Sequence, residues 1–300
     1  MHLSAAPPQP VAIVSHFDYV ALDAERRRVY AAHTGSNALL VVNADSGKVL
    51  GQADVGPLHG VAVDPNSGIV YTGDESGAVS AVDPTSMQVV NSVMLGRPID
   101  AIAYDPARKR IYADEDSGDH VFVLDATKMK LVKTIITPGT DHEYLAIDPQ
   151  SGDVYQNIPD LDEFVVIDPR SLQVIKTVRT AELKDNHPLQ FDAVNSTIVV
   201  GGKNGKLSIY DRQGNRLGTG TMPAGADQCD LDAQAGLLAC AAEGTISIIS
   251  IPARGAPHVL AKLAVGGGAH TVAIDPRTRD LWTVLVTPHG DFAQRIYVKP

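Results

Sequence analysis

Short apolar runs alternate with clusters of Asp, Pro, Asn, Ser and Gly along almost the whole chain. One segment shows the unit: Val61-Ala62-Val63, then Asp64-Pro65-Asn66-Ser67-Gly68, then Ile69-Val70-Tyr71. Runs this short, rich in β-branched residues and broken by turn formers, predict strands rather than helices. The unit recurs. Anchored on its Asp, it falls at Asp23, Asp64, Asp105, Asp148, Asp192, Asp232 and Asp275, at intervals of 41, 41, 43, 44, 40 and 43 residues. Seven residues after each anchor stand Tyr30, Tyr71, Tyr112, Tyr155, Val199, Ala239 and Trp282. That constant offset predicts a tight hairpin in fixed register. A third strand ends at Asn43, Asp83, Asp125, Asp168 and Asp211, and a fourth follows, as in Gln88-Val89-Val90-Asn91-Ser92-Val93.

Four short strands in a unit of about 40–45 residues predict a propeller blade. Seven anchors then predict an all-β, seven-bladed β-propeller with four antiparallel strands per blade. Residues 11–300 form one domain, because no blade buries both faces without its neighbours, and residues 1–10 are expected to be a disordered tail. The last repeat has strands at 271–274, 281–286 and 295–298 and then lacks a fourth. A spare strand at 11–15 is expected to pair with 295–298 as the outer strand of the last blade. The ring would thereby close without an exposed edge.

The pattern Ala146-Ile147-Asp148-Pro149-Gln150-Ser151-Gly152-Asp153-Val154-Tyr155, followed by Val165-Val166-Ile167-Asp168, resembles the YVTN repeat of YncE-like propeller proteins. The resemblance covers nearly the whole chain and implies a propeller fold. Members are mostly exported bacterial proteins of unclear activity, with metal or nucleic-acid binding implied for a few. The sixth repeat departs most, with Cys229, Asp230 and Ala239 at usually apolar or Tyr positions. The WD40 pattern is absent: Trp282 is the single Trp.

In a propeller the loops entering the innermost strand and those joining the second and third strands share one face. That face gathers the acids Asp74, Glu75, Asp114, Glu115, Asp116, Asp119, Asp160 and Asp162, and eight of the ten His, including His33, His120, His142 and His289. The opposite face takes fifteen of the 25 Lys and Arg, among them Arg26, Arg27, Arg108 and Arg212. Five residues before each anchor, where the chain enters the innermost strand, stand Asp18, His59, Asp100, Glu143, His187, Asp227 and His270. Asp, Glu and His make up 45 of 300 residues, so seven in one column is a chance of roughly one in a million. Turn chemistry is the plain reading of such residues. The spacing of His59, His187 and His270 over blades 2, 5 and 7 points further, to three imidazoles converging on the channel axis. Glu143 is the expected fourth ligand or water-activating base, with Asp18, Asp100 and Asp227 orienting the imidazoles. Such mixed N/O donors suit divalent Zn, Mn, Fe, Ni or Cu.

Composition narrows the partners. A net charge of -10 argues against general binding of nucleic acid or anionic membrane. No apolar run approaches the roughly 20 residues that span a bilayer as a helix. Gly-x-Ser-x-Gly and phosphate-loop motifs are absent. Cys229 and Cys240 face each other across the predicted hairpin of blade 6. Two packed, buried thiols are the preferred reading, and a cross-strand disulfide in an oxidising compartment is the alternative. The small, Pro-rich start after Met1-His2-Leu3 fits a periplasmic or secreted protein whose signal has been removed, with a cytoplasmic tail as the alternative. The leading functional expectation is a module that binds a metal or small ligand at an acidic, histidine-rich channel mouth. A metal-dependent hydrolase or lyase with Glu143 as base is the second, and a nucleic-acid or protein interaction scaffold the third. Oligomeric state is not encoded in these patterns.

Overall fold

The repeated Asp builds its turn from the inside. Asp23 Oδ1 accepts the backbone N–H of Glu25 and of Arg26, each at 2.9 Å. The other six anchors accept from residues two or three further on in the same way. All seven anchors are buried, so each carboxylate supplies acceptors that water cannot reach to supply. The hairpins that follow share one register. The residue two before the anchor pairs with the residue seven after it: Ala21 with Tyr30, Ala62 with Tyr71, Ala103 with Tyr112, Ala146 with Tyr155, Gln190 with Val199, Asp230 with Ala239 and Ala273 with Trp282.

The computed structural model describes residues 1–11, 16–287 and 290–299. Among them the strands form seven antiparallel sheets. Blade 1 comprises Val20–Asp23, Arg28–His33, Ala38–Asn43 and Val49–Asp54, innermost strand first. The innermost strands of blades 2 to 7 are Leu58–Val63, Ile99–Asp105, Glu143–Ile147, Asn186–Asp192, Cys229–Asp232 and Val272–Ile274. The core lies between blades, where the second-strand Tyr30, Tyr112, Tyr155 and Trp282 are almost wholly buried.

Ring closure takes the expected form with different residues. The last blade runs His2–Ala5, Gly290–Lys299, Leu281–Thr287, Val272–Ile274 from the outside in, and Gln9–Val11 also pairs with Gly290–Lys299. His2 lies opposite Lys299 and Gln9 opposite Ala293. Residues 2–5, expected in a disordered tail, are therefore a strand. Of the expected closing strand at 11–15, Val11 pairs with Asp291 rather than with 295–298, and residues 12–15 lie outside the described residues. The ten-residue strand Gly290–Lys299 offers an edge long enough for two short segments. Pro7 and Pro8, which lack N–H donors, occupy the break between them. Leu3 anchors the first segment in a core cluster with Ile246, Ile248, Leu281 and Ile296.

Many of the basic residues on the second face tie blades together. Arg26 donates to Pro65 O at 3.2 Å and Asn66 O at 2.7 Å on blade 2, and Arg108 to Ser151 O at 2.7 Å on blade 4. Arg212 of blade 5 pairs with the buried Asp148 of blade 4. Arg27 of blade 1 makes a two-pronged bond with Asp275 of blade 7, joining the first and last blades. Burial would raise the Asp275 carboxyl, but the Arg27 guanidinium holds it below its ordinary value. Removing one partner of a buried pair strands the other charge. Arg27→Ala is thus expected to lower unfolding free energy by about 3 kcal/mol, read by urea denaturation. A loss below about 0.5 kcal/mol, the range of an exposed pair, would contradict this placement.

The Cys pair is bonded. Cys229 and Cys240 are direct partners across the first two strands of blade 6, with Cα atoms 4.1 Å apart. The preferred reading as two free thiols is corrected: this register leaves the side chains side by side.

Candidate metal centre at the channel mouth

The seven column residues do not converge as three imidazoles. The structure distributes them into two histidine–carboxylate groups and one separate histidine. His59 Nδ1 hydrogen-bonds Asp18 Oδ2 and lies 3.8 Å from Asp100 Oδ1. Its other nitrogen, Nε2, stands 3.1 Å from Glu75 Oε1. His187 Nε2 lies 2.7 Å from Asp227 Oδ1 and 3.2 Å from Glu143 Oε1. His270 faces backbone instead, with Nδ1 2.9 Å from Gly268 O and Nε2 3.1 Å from Phe17 O. Its ring stacks on His16, centroids 5.7 Å apart.

Local sequence explains the difference. His270 follows Gly266-Gly267-Gly268, all at positive φ, a turn that brings the Gly268 carbonyl back to the ring. His59 enters its strand beside the Asp74–Ser76 turn, which delivers Glu75. Asp18 is held from a third side. Gln228 Nε2 donates to Asp18 Oδ1 at 3.2 Å, and Thr271 donates to Gln228 Oε1 in turn. Thr271 Oγ1 also accepts from Val20 N at 3.1 Å. This network locks blades 6, 7 and 1 around one carboxylate.

Asp18, Asp100, Glu143, His187 and Asp227, with Tyr19 and Gln228, line a chamber of about 100 Å³ at the mouth of the channel. At about 30 Å³ per water, it holds an ion and a few waters. Crowding of the acids shifts their titration. Burial raises the Asp100 carboxyl well above its ordinary value, aided by the charges of Asp114 and Asp18. Burial also raises Glu143 well above its ordinary value, with Asp100 and Asp227 adding to it. Burial alone would lower His59, but the bond to Asp18, the charges of Asp18 and Asp100, and Glu75 lift it to about 9. Burial would raise Asp227, yet His187 holds it below its ordinary value.

Beneath this chamber two tyrosines cross the channel. Tyr144 of blade 4 donates its hydroxyl to Cys229 O at 3.0 Å and accepts from Cys229 N at 3.2 Å on blade 6. Its ring meets that of Tyr19 from blade 1, centroids 5.5 Å apart at 54°. Burial raises both hydroxyls well above their ordinary value, so they stay protonated. A second cavity of about 130 Å³ lies below, lined by Tyr19, Tyr144, Val61, Ile102 and Val272 among others.

Asp18, His59 and Asp100 offer ligand atoms that all lie within 4.8 Å of one another. A second such group, Glu115, Asp119 and His120, sits on blade 3. There Arg97 lies 3.3 Å from Glu115 and already supplies positive charge. The mouth group has no Lys or Arg among its ion-pair partners in the described residues, which makes it the stronger candidate. His142, among the first-face histidines, is a packing residue: Nε2 lies 2.6 Å from Thr137 Oγ1 and Nδ1 3.2 Å from Glu115 O. His33 is buried 2.8 Å from Asp291, and His289 lies outside the described residues. The sequence reading missed Glu75, Tyr19, Tyr144 and Gln228 as site residues. The last three share a column one position after the acid and histidine column, with Gly60, Ala101, Pro188 and Thr271. That mixture carries no chemical signal by itself.

Asp114 sits just behind Asp100. It accepts from Ala101 N at 2.6 Å and Gln156 Nε2 at 2.9 Å, yet burial pushes it up to about 7 from 3.8. Between those values the native protein keeps a proton that the unfolded chain has released. Stability from this group therefore falls as pH rises from about 4 to about 7. Melting temperatures of Asp114→Asn are expected to change less over that window than those of the wild type. Parallel profiles would contradict the assignment.

No family model matches the chain, and no curated protein matches it. Among solved structures it is similar to Kuenenia stuttgartiensis hydrazine synthase, at a TM-score of 0.81 and 14% identity, over 94% of this chain and 96% of that one. At that identity the likeness establishes the propeller fold and nothing further.

Proposed function

We propose that the protein is a binding module that holds one divalent transition-metal ion at its channel mouth through Asp18, His59 and Asp100. One observation carries this reading. Glu75 stands at His59 Nε2 and fixes the imidazole so that Nδ1 faces two carboxylates. A carboxylate behind a histidine, with the other nitrogen aimed at further acids, is the arrangement that orients metal-ligating imidazoles. Two oxygens and one nitrogen suit the Mn-to-Zn series and disfavour soft, thiolate-bound ions. Glu143, His187 and Asp227 line one chamber with Asp18 and Asp100 and would bond the ion's waters. The chamber volume of about 100 Å³ falls below the roughly 300–1,000 Å³ of organic-ligand pockets, which favours binding over hydrolysis or cleavage of a larger substrate. The YVTN-like repeat supports kinship with YncE-like proteins. The Cys229–Cys240 disulfide supports residence in an oxidising compartment, since such bonds are rare where thiols are kept reduced.

Isothermal titration of tag-free, chelator-stripped protein with Mn²⁺ and with Zn²⁺ tests the proposal. One equivalent per chain is expected, abolished in Asp100→Ala. Absence of saturable binding, or binding untouched by that substitution, would overturn it.

A further inference from the structure

We infer that Tyr144 and Tyr19 floor the mouth chamber and fix the size class of its ligand as a single ion with a few waters, excluding polyamines and ions with bulky inert shells. The inference rests on the ion-binding reading of the mouth. Its support is independent of the ligand set.

Several of the described non-glycine residues have positive φ, and all but one of these lie in turns or at helix and strand boundaries. Among the described residues, Tyr144, at 59°, is the one inside a strand. A bulky aromatic residue does not adopt that conformation by default. The pairing register of its strand slips at the same place, between Glu143 and Leu145. A bulge of this kind re-aims a side chain, and here it sends the ring across the channel. The hydroxyl is then caught twice by the Cys229 backbone, two blades away, and Tyr19 reaches in from blade 1 to meet the ring.

The matching positions of blades 2 and 3 send no large side chain into the channel. In blade 2 the matching position is Gly60, where a Cβ would fall 2.4 Å from Asp100 O, so no side chain fits. In blade 3 it is Ala101. The two tyrosines are therefore held by each other and by the Cys229 backbone, not by matching side chains from blades 2 and 3. Tyr19 lines both the chamber above, of about 100 Å³, and the cavity below, of about 130 Å³. With the rings removed, the two would become one continuous space.

The test compares wild type with Tyr144→Gly, whose new residue accepts φ of 59° without strain, and with Tyr19→Ala in case the first variant does not fold. Two probes are titrated: Mn²⁺, and tris(ethylenediamine)cobalt(III), a trication whose inert organic shell cannot be shed. The cobalt complex is expected to bind Tyr144→Gly or Tyr19→Ala at least about tenfold more tightly than wild type. Equal affinity for wild type and the folded variants would overturn the inference. Mn²⁺ reports separately on the ligand set. If wild type binds no Mn²⁺ while the variants still gain the trication, the metal reading fails and the floor stands.

Discussion

His59→Ala is expected to weaken Mn²⁺ or Zn²⁺ binding by about 100-fold and Glu75→Gln by about tenfold, while His270→Ala leaves it unchanged. The ranking follows from where each ring nitrogen points. His59 Nδ1 faces Asp18 and Asp100, so its removal deletes the nitrogen ligand. Glu75 touches Nε2 alone and acts by orienting the ring, an effect worth about 10–100-fold in metal sites. Both nitrogens of His270 face backbone carbonyls, Gly268 O and Phe17 O, which gives it no part in the chamber. His187→Ala should show a small loss, since its imidazole meets Asp227 and Glu143 at the rim. The three-histidine arrangement expected from the spacing makes the opposite forecast, with His59, His187 and His270 equally damaging. Titrations of the four variants separate the two. A large effect of His270→Ala would restore the symmetric site.

Deleting residues 1–11 is expected to lower the melting temperature by on the order of 10 °C and to promote aggregation. The segment supplies two strands to the last blade, His2–Ala5 and Gln9–Val11, and buries Leu3 in the cluster around Ile296. Each lost backbone hydrogen bond costs about 1 kcal/mol, and Gly290–Lys299 would be left as a long open edge. Differential scanning calorimetry with light scattering reads both effects. A truncated protein that melts with the full chain and stays monodisperse would show that the ring closes without these strands.

The fold was legible because its determinants are local. Each anchor Asp satisfies backbone donors two or three residues away, and each Tyr or Trp at offset seven is set by a hairpin that starts at the same turn. Such spacing is written directly in the chain. Ring closure was legible in kind but not in residues. Leu3 and the Pro-rich stretch after it carry no strand pattern, and their pairing depends on an edge at the far end of the chain, Leu3 lying opposite Val298 and Gln9 opposite Ala293. The acid and histidine column was legible as a set of positions at one mouth. Its partnering was not, because a position fixes where a Cβ starts and not which rotamer follows. His270 turns to Gly268 O because three glycines bend the chain beneath it. His59 is oriented by Glu75, sixteen residues on, from a loop whose path the repeat does not specify. Tyr144 left still less trace: its place in the channel depends on a bulge and on the Cys229 backbone of another blade.

The central claim, one ion held by Asp18, His59 and Asp100, is tested most directly by anomalous diffraction from crystals soaked in Mn²⁺ and in Zn²⁺. The account predicts one strong anomalous peak per chain at the mouth, with His59 Nδ1 and an oxygen each of Asp18 and Asp100 at about 2.0–2.2 Å from it. A mouth without a peak at saturating ion, or a peak coordinated by His270, would contradict it.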